Sequence, residues 1–257
     1  MILVIAGTQD GRELVQKILA IGVKVAASVV SSYGEKLLAN GNDNLIINDK
    51  PLNEAELKDY LKVHHVTMIV DASHPYAVNV SKNAMLAAQR TGVPYIRYER
   101  DVSKLNYDKL QLVHSYEEAA ETAAKLGKNV FLTIGSRNLA KFTTAAVLKN
   151  NVITARVLPS REVIELCENL GLMPKQIVAM QGPFSIELNK AMFLNYQADV
   201  VVTKNSGSIG GTDTKLEAAK TLDLPVVVID RPKLNYANIG HTYEEILAFI
   251  KEKILSN

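Results

Sequence analysis

An open parallel α/β sheet, built twice over, is the fold class this sequence predicts. Three observations carry it: short, nearly all-apolar β-rich runs at even intervals, helical patterns between them, and an internal repeat. Such runs suit strands covered on both faces, because a strand with one wet face would alternate apolar and polar residues. The intervening segments place apolar residues three and four apart, as at Leu14, Ile18 and Leu19, or at Ala84, Ala87 and Ala88. Alternating strand and helix with right-handed crossovers gives an open parallel sheet.

In chain order the strand runs are 2–6, 23–30, 68–70, 95–97, 130–133, 153–157, 177–179, 200–203 and 226–229. Proline and glycine punctuate the joins, as in Gly92-Val93-Pro94 and Leu224-Pro225. The repeat sets Ile5-Ala6-Gly7-Thr8 on Thr133-Ile134-Gly135-Ser136, and Ala27-Ser28-Val29-Val30 on Ala155-Arg156-Val157-Leu158. It then sets residues 87–100 on 218–231 without gaps: a small-residue helix, a proline, a buried strand and an acid-Arg pair. Two similar halves follow, with the break in the polar stretch 101–109 or near Gly127. The expected domains are 1–110 and 111–257. Two such sheets facing each other make a cleft, and open α/β sheets bind ligands beyond the carboxyl ends of their strands.

Composition bounds the function. The 257 residues are 47% hydrophobic and 22% charged, an ordinary globular balance that excludes disorder. Twenty-nine Lys+Arg against 27 Asp+Glu leave a net charge of +2, too even for nucleic-acid binding by bulk charge. A single cysteine, Cys167, excludes a disulfide framework and a cysteine-based zinc site, and no metal is expected. Met1 leads directly into Ile-Leu-Val-Ile-Ala without a basic leader, and no apolar run approaches the roughly 20 residues that span a bilayer. A soluble cytoplasmic protein with no membrane partner is expected.

Chemistry is sought at the strand-to-helix turns. Gly7-Thr8-Gln9-Asp10-Gly11-Arg12 opens the first helix, where backbone N–H groups suit a phosphate. It is not a G-x-G-x-x-G fingerprint, and Gly7 and Asp10 also suit a plain tight turn and helix start. After the second strand, Ser31-Ser32-Tyr33-Gly34-Glu35-Lys36 has no acid at the strand tip for a ribose 2′-hydroxyl but two hydroxyls and a nearby lysine, which leans towards a 2′-phosphate or is a simple loop. Asp71-Ala72-Ser73-His74-Pro75-Tyr76-Ala77 follows the third run; His74 is a candidate proton donor or ligand contact, while Asp71 could instead cap a helix beginning near Pro75. His64, His65, His114 and His241 read as surface residues. In the second half, Gly135-Ser136-Arg137-Asn138 is the counterpart of the first turn. The counterpart of the His74 loop is Thr203-Lys204-Asn205-Ser206-Gly207-Ser208-Ile209-Gly210-Gly211-Thr212, an anion cradle or a mobile flap before a helix at 214–222. Gln181-Gly182-Pro183-Phe184-Ser185 also opens a helix. Arg97, Arg100, Arg137, Arg156, Arg161, Lys204 and Arg231 fall near strand ends and suit an anionic ligand. Signatures for a Ser-His-Asp triad, H-E-x-x-H, a Walker lysine or a carboxylate dyad are absent.

The turns above, with Pro94-Tyr95-Ile96-Arg97-Tyr98-Glu99-Arg100, Leu132-Thr133-Ile134-Gly135-Ser136, Ala155-Arg156-Val157-Leu158-Pro159 and Thr203-Lys204-Asn205-Ser206-Gly207, occur in an order that resembles the precorrin-6A reductase family of cobalamin biosynthesis. The resemblance spans about residues 1–255, and only Asp10 and Ser73 depart from it, where Glu and Thr would be expected. It implies two Rossmann-like parallel-sheet domains related by internal duplication, with room for a strand exchanged between them. It implies NADPH- or NADH-dependent hydride transfer that reduces the C18=C19 bond of the macrocycle. Composition leans to the cobalt-bound substrate; a hand-over to other corrinoid-pathway enzymes would follow.

On that reading the nucleotide's phosphates meet Gly7, Thr8, Asp10, Gly11 and Arg12, with Ser31, or the partner turn at Gly135, Ser136 and Arg137. The tetrapyrrole carboxylates meet Ser73, Tyr76, Arg97, Arg100, Ser206 and Gly207, and the proton comes from water, His74 or Lys204. Two rivals stand beside it: an S-adenosylmethionine methyltransferase, for which no motif is seen, and a non-catalytic two-domain nucleotide-binding protein.

Overall fold

The structure, a computed structural model, describes residues 1–29, 32–39, 41–102, 105–207 and 210–255. It divides into two compact units, Met1–Asp101 with Pro232–Asn257, and Val102–Arg231. The first 101 residues carry β1 (Ile2–Ile5), α1 (Gln9–Ala20), β2 (Val25–Ser28), α2 (Ser32–Leu38), β3 (Leu45–Asn48), α3 (Glu54–Val63), β4 (Met68–Asp71), α4 (Val78–Thr91) and β5 (Tyr95–Tyr98). The middle of the chain carries β6 (Leu110–Val113), α5 (Tyr116–Leu126), β7 (Asn129–Leu132), α6 (Ala140–Thr143), β8 (Val152–Val157), α7 (Arg161–Asn169), β9 (Ile177–Ala179), α8 (Ile186–Asn195), β10 (Val200–Lys204), α9 (Thr212–Thr221) and β11 (Val226–Ile229). The chain then adds β12 (Ile239–Gly240) and α10 (Tyr243–Leu255).

Both sheets are six-stranded and parallel, ordered β12-β5-β4-β1-β2-β3 and β6-β11-β10-β7-β8-β9. The orders superimpose strand for strand, and so do the registers: Tyr95 lies opposite Ile69 as Val226 lies opposite Val201. The gapless match of 87–100 with 218–231 is thus one structural unit used twice.

The sixth strand of each sheet is supplied out of order. β6 follows β5 in the chain but pairs with β11; β12 follows β11 but pairs with β5. Residues 232–257 therefore belong with the first unit, whereas a boundary at 110 would place them in the second. A repeated sequence marks both exchanged strands. His114-Ser115-Tyr116-Glu117-Glu118 and His241-Thr242-Tyr243-Glu244-Glu245 each start the helix that follows. In both, the hydroxyl accepts from the second Glu N–H, at 3.0 and 3.1 Å, and that Glu accepts from the His N–H, at 2.8 and 2.7 Å. This reciprocal cap closes four otherwise open polar groups.

Alternate residues of β1 feed the two faces of the first sheet. Ile2 and Val4 pack with Leu14, Ile18, Ile246 and Ile250 of α1 and α10; Leu3 and Ile5 pack with Leu57 of α3 and Ala84 and Ala87 of α4. In the second unit Phe131 and Val201 pack against Phe193 of α8 and Ala218 of α9. Burial on both faces is why these strands read as unbroken apolar runs. The edge strands are β12 and β3 in one sheet and β6 and β9 in the other; β6 and β12 lack such a run, whereas β3 carries the short run Leu45-Ile46-Ile47, which the sequence reading passed over. No helix among the described residues is long and apolar enough to cross a membrane.

Candidate functional site

In the first unit the β1–α1 turn is closely specified. Thr8 caps α1: its Oγ1 accepts from Gly11 N at 3.0 Å and donates to Ala72 O at 2.9 Å, tying the helix start to the end of β4. A Cβ on Gly11 would stand 2.7 Å from Ala6 Cα and 3.3 Å from Ala72 O, so only glycine lets the helix approach the strand this closely. Asp10, 2% exposed, pairs with the Arg100 guanidinium, and its buried Oδ1 has no hydrogen-bond partner among the described residues. Gly7 is exposed and Arg12 half-buried. An N-terminus of a 12-residue helix at the carboxyl edge of a parallel sheet suits a phosphate.

β4 and β5 end in a buried polar network. Arg97 donates from Nη1 to Asp71 Oδ1 (2.9 Å) and Ser73 Oγ (3.0 Å), and from Nε to Glu99 Oε2 (2.8 Å). Tyr95 OH donates to Asp71 Oδ2 at 2.8 Å, and Ser73 N to Asp71 Oδ1 at 2.9 Å. Burial pushes the Asp71 carboxyl up, but the Arg97 charge and the Ser81 and Ser73 hydrogen bonds outweigh it and hold it below the usual range. Burial pulls Arg97 down, and Asp71 and Glu99 more than reverse it. Arg97, expected from the sequence to meet a ligand, is thus engaged inside the fold, and Asp71 holds Ser73 rather than capping a helix. That helix starts at Val78, three residues beyond Pro75, with no side-chain cap. His74 is half-buried and accepts at Nδ1 from Tyr76 N at 3.2 Å, with the two rings 5.7 Å apart. Ser31 lies outside the described residues.

The second unit repeats the backbone and changes the chemistry. The turn at Gly135, Ser136 and Arg137 leads only into the four-residue α6, where its counterpart leads into twelve. Gly135 has φ +76°, Gly135 and Ser136 are half-buried, and Arg137 is exposed. Lys204, at the tip of β10, is pushed down to about 8, first by burial and then by the Arg137 charge. Ser206 and Gly207 are buried: Ser206 N donates to Lys204 O at 2.8 Å and to Thr212 Oγ1 at 3.1 Å.

Beside them the structure gathers residues that the sequence did not group. Arg156, on β8, donates to Asn189 Oδ1 at 2.7 Å, and its guanidinium lies 4.1 Å from the Phe184 ring centroid. Asn189 is held in turn, donating to Ser185 O at 2.8 Å. Lys215 sits on the buried stripe of α9 with Leu216, Ala218 and Ala219, and donates from Nζ to Gly210 O at 3.0 Å. A lysine three and four residues from buried alanines is a legible signal that this ammonium faces inward.

The comparisons with known proteins decide the family. A family model described as precorrin-6x reductase CbiJ/CobK matches residues 1–251. The chain belongs to this precorrin-6x reductase family. It is 42% identical over 248 residues to a cobalt-precorrin-6A reductase of Priestia megaterium, covering 96% of each chain. It is 38% identical over 251 residues to a cobalt-precorrin-6A reductase of Methanocaldococcus jannaschii, covering 97% of each. Among solved structures, a CobK precorrin-6A reductase matches with a TM-score of 0.80 at 26% identity, over 98% of this chain and 96% of that one. The precorrin-6x reductase match runs through both duplicated units and into α10.

Proposed function

We propose that the chain is a cobalt-precorrin-6A reductase, using NADPH or NADH to reduce the C18=C19 bond of the macrocycle. The near full-length 42% identity to the Priestia megaterium cobalt-precorrin-6A reductase carries the reading and its choice of the cobalt-bound substrate.

The first unit fits a nicotinamide nucleotide. Gly11 leaves no room for a side chain between α1 and the strand end, and the buried Asp10 Oδ1, without a partner among the described residues, can accept from a ligand hydroxyl or amide. Gly7, Thr8, Gly11 and Arg12 are the residues that would hold the phosphates, with Asp10 kept neutralised by Arg100. When bound, the nucleotide supplies the hydride. Thr8 and the Asp71–Arg97 network keep the strand ends rigid, so that the ligand is oriented without reorganisation of the site. The proton for the product is held at Lys204 Nζ, whose depressed pKa keeps it a ready donor near neutrality, or at His74 Nε2. The product would then be handed to other corrinoid-pathway enzymes.

Anaerobic incubation with cobalt-precorrin-6A and NADH or NADPH, followed by mass spectrometry, tests the reading. A gain of about two mass units, with deuterium arriving from labelled nicotinamide, is the expected result and names the nucleotide. No gain with either nucleotide, on the cobalt-bound or the metal-free precursor, sinks it.

A further inference from the structure

We infer that Arg156 and Lys215, with Lys204 beside them, form an oxyanion subsite at the carboxyl edge of the second sheet. Its ligand group is a side-chain carboxylate of the tetrapyrrole or a phosphate of the nucleotide; only the naming of these two sources rests on the reductase reading.

Burial and charge carry the inference. Arg156 and Lys215 are 6% and 8% exposed, and among the described residues neither pairs with a carboxylate. The contacts of Arg156 are the Asn189 amide, the Met192 sulfur and the Phe184 ring; that of Lys215 is a backbone carbonyl. All four are neutral. Buried charges are ordinarily paired, since desolvation otherwise outweighs what the fold gains. The first unit follows that rule, because its buried Arg97 meets both Asp71 and Glu99. The duplicated fold has no intrinsic need for a bare cation here, as Ser28 stands where the second unit has Arg156. What remains is a place built for a negative charge that arrives from outside.

The neutral partners orient the cations. Phe184 lies against the guanidinium and Asn189, itself anchored on Ser185 O, fixes its edge, so a ligand oxygen meets donors already in place. Gly210 is equally close-packed: a Cβ on it would stand 2.3 Å from Ser206 Cβ, and its carbonyl accepts from Lys215 Nζ.

Proton linkage follows. Burial, then the charges of Arg156 and Lys204, push the Lys215 ammonium down to about 7; burial and Arg137 push Lys204 to about 8. An incoming oxyanion raises both, so binding near pH 8 takes up protons.

Calorimetric titration of wild type, Lys215→Met, Arg156→Met and Arg156→Lys with NADPH, NADH and uroporphyrin, a stable macrocycle with acetate and propionate groups, tests this. At least one probe is expected to bind the Met variants tenfold or more weakly, with proton uptake in wild type that Lys215→Met reduces. Loss with uroporphyrin alone assigns a carboxylate; loss with NADPH alone, the 2′-phosphate; loss with both nucleotides, the pyrophosphate. Lys215→Met should also melt above wild type at pH 7 without ligand, which guards against misfolding as the cause, and Arg156→Lys should retain part of the affinity. Affinities within twofold of wild type for every probe, or no binding of any probe to wild type, would overturn the subsite. A failure of turnover leaves these binding results standing, so the two readings fail separately.

Discussion

Asp71 and Arg97 form an ion pair of 2.9 Å in which neither side chain is more than 1% exposed. They come from adjacent strands of one sheet, and Tyr95, Ser73 and Glu99 add further hydrogen bonds to them. Arg97→Met would leave the carboxylate buried and uncompensated. A loss of about 3–5 kcal/mol is expected in urea unfolding. A loss below about 1 kcal/mol would mean that water reaches the pair.

The same pair sets an acid limit. The folded Asp71 titrates below its unfolded value of 3.8, so its contribution is fully present above about pH 4 and is lost as pH falls through the folded pKa. Wild type should therefore weaken below pH 4 more steeply than Asp71→Asn, measured as unfolding midpoints from pH 2 to 6. Parallel profiles would contradict this.

Gly11→Ala drives a methyl into backbone, with Ala6 Cα at 2.7 Å. Neither strand nor helix can yield without disturbing the sheet, so about 1–3 kcal/mol of destabilisation is expected, together with weaker nucleotide binding. Thermal unfolding and nucleotide titration of the one variant check both.

Thr8→Ala removes both hydrogen bonds of one hydroxyl and should cost about 1 kcal/mol, the usual worth of an N-cap, while Thr8→Ser should recover most of it. Equal losses in the two variants would show that the methyl, not the hydroxyl, matters.

If Lys204 gives the proton, kcat/KM falls as pH rises through about 8, because the donor must be charged. Lys204→Ala should lower kcat by about a hundredfold and abolish that limb. A variant within about threefold of wild type, alongside a comparably active His74→Ala, would leave water as the donor.

The strands buried on both faces are legible in the sequence because each is an unbroken apolar run, and the aligned segments 87–100 and 218–231 reveal the duplication by themselves. β6 is not legible, since Gln111 and Leu112 are exposed at a sheet edge and break the pattern, and β12 is only two residues long. The paired H-S/T-Y-E-E segments are nevertheless a marker that the sequence carries. At the site, charges are visible but pairings are not. Arg97 and Arg156 look alike as strand-end cations; only the fold shows that one meets an aspartate and the other an amide and a ring. Asp10 and Arg100, 90 positions apart, carry no local sign of each other.

The exchanged strands also bear on synthesis. Asn238, just before β12, bonds to the Tyr95 carbonyl 143 positions earlier, so β5 waits on the ribosome for its outer neighbour. At roughly 5–20 residues per second the wait is on the order of ten seconds. During it β5 presents an unpaired backbone edge, the kind of strand to which another nascent chain can add. β6, by contrast, emerges before any strand of its own sheet. The two halves therefore mature in reverse: the second unit, begun later, is complete first, and the first is finished only when β12 and α10 follow it.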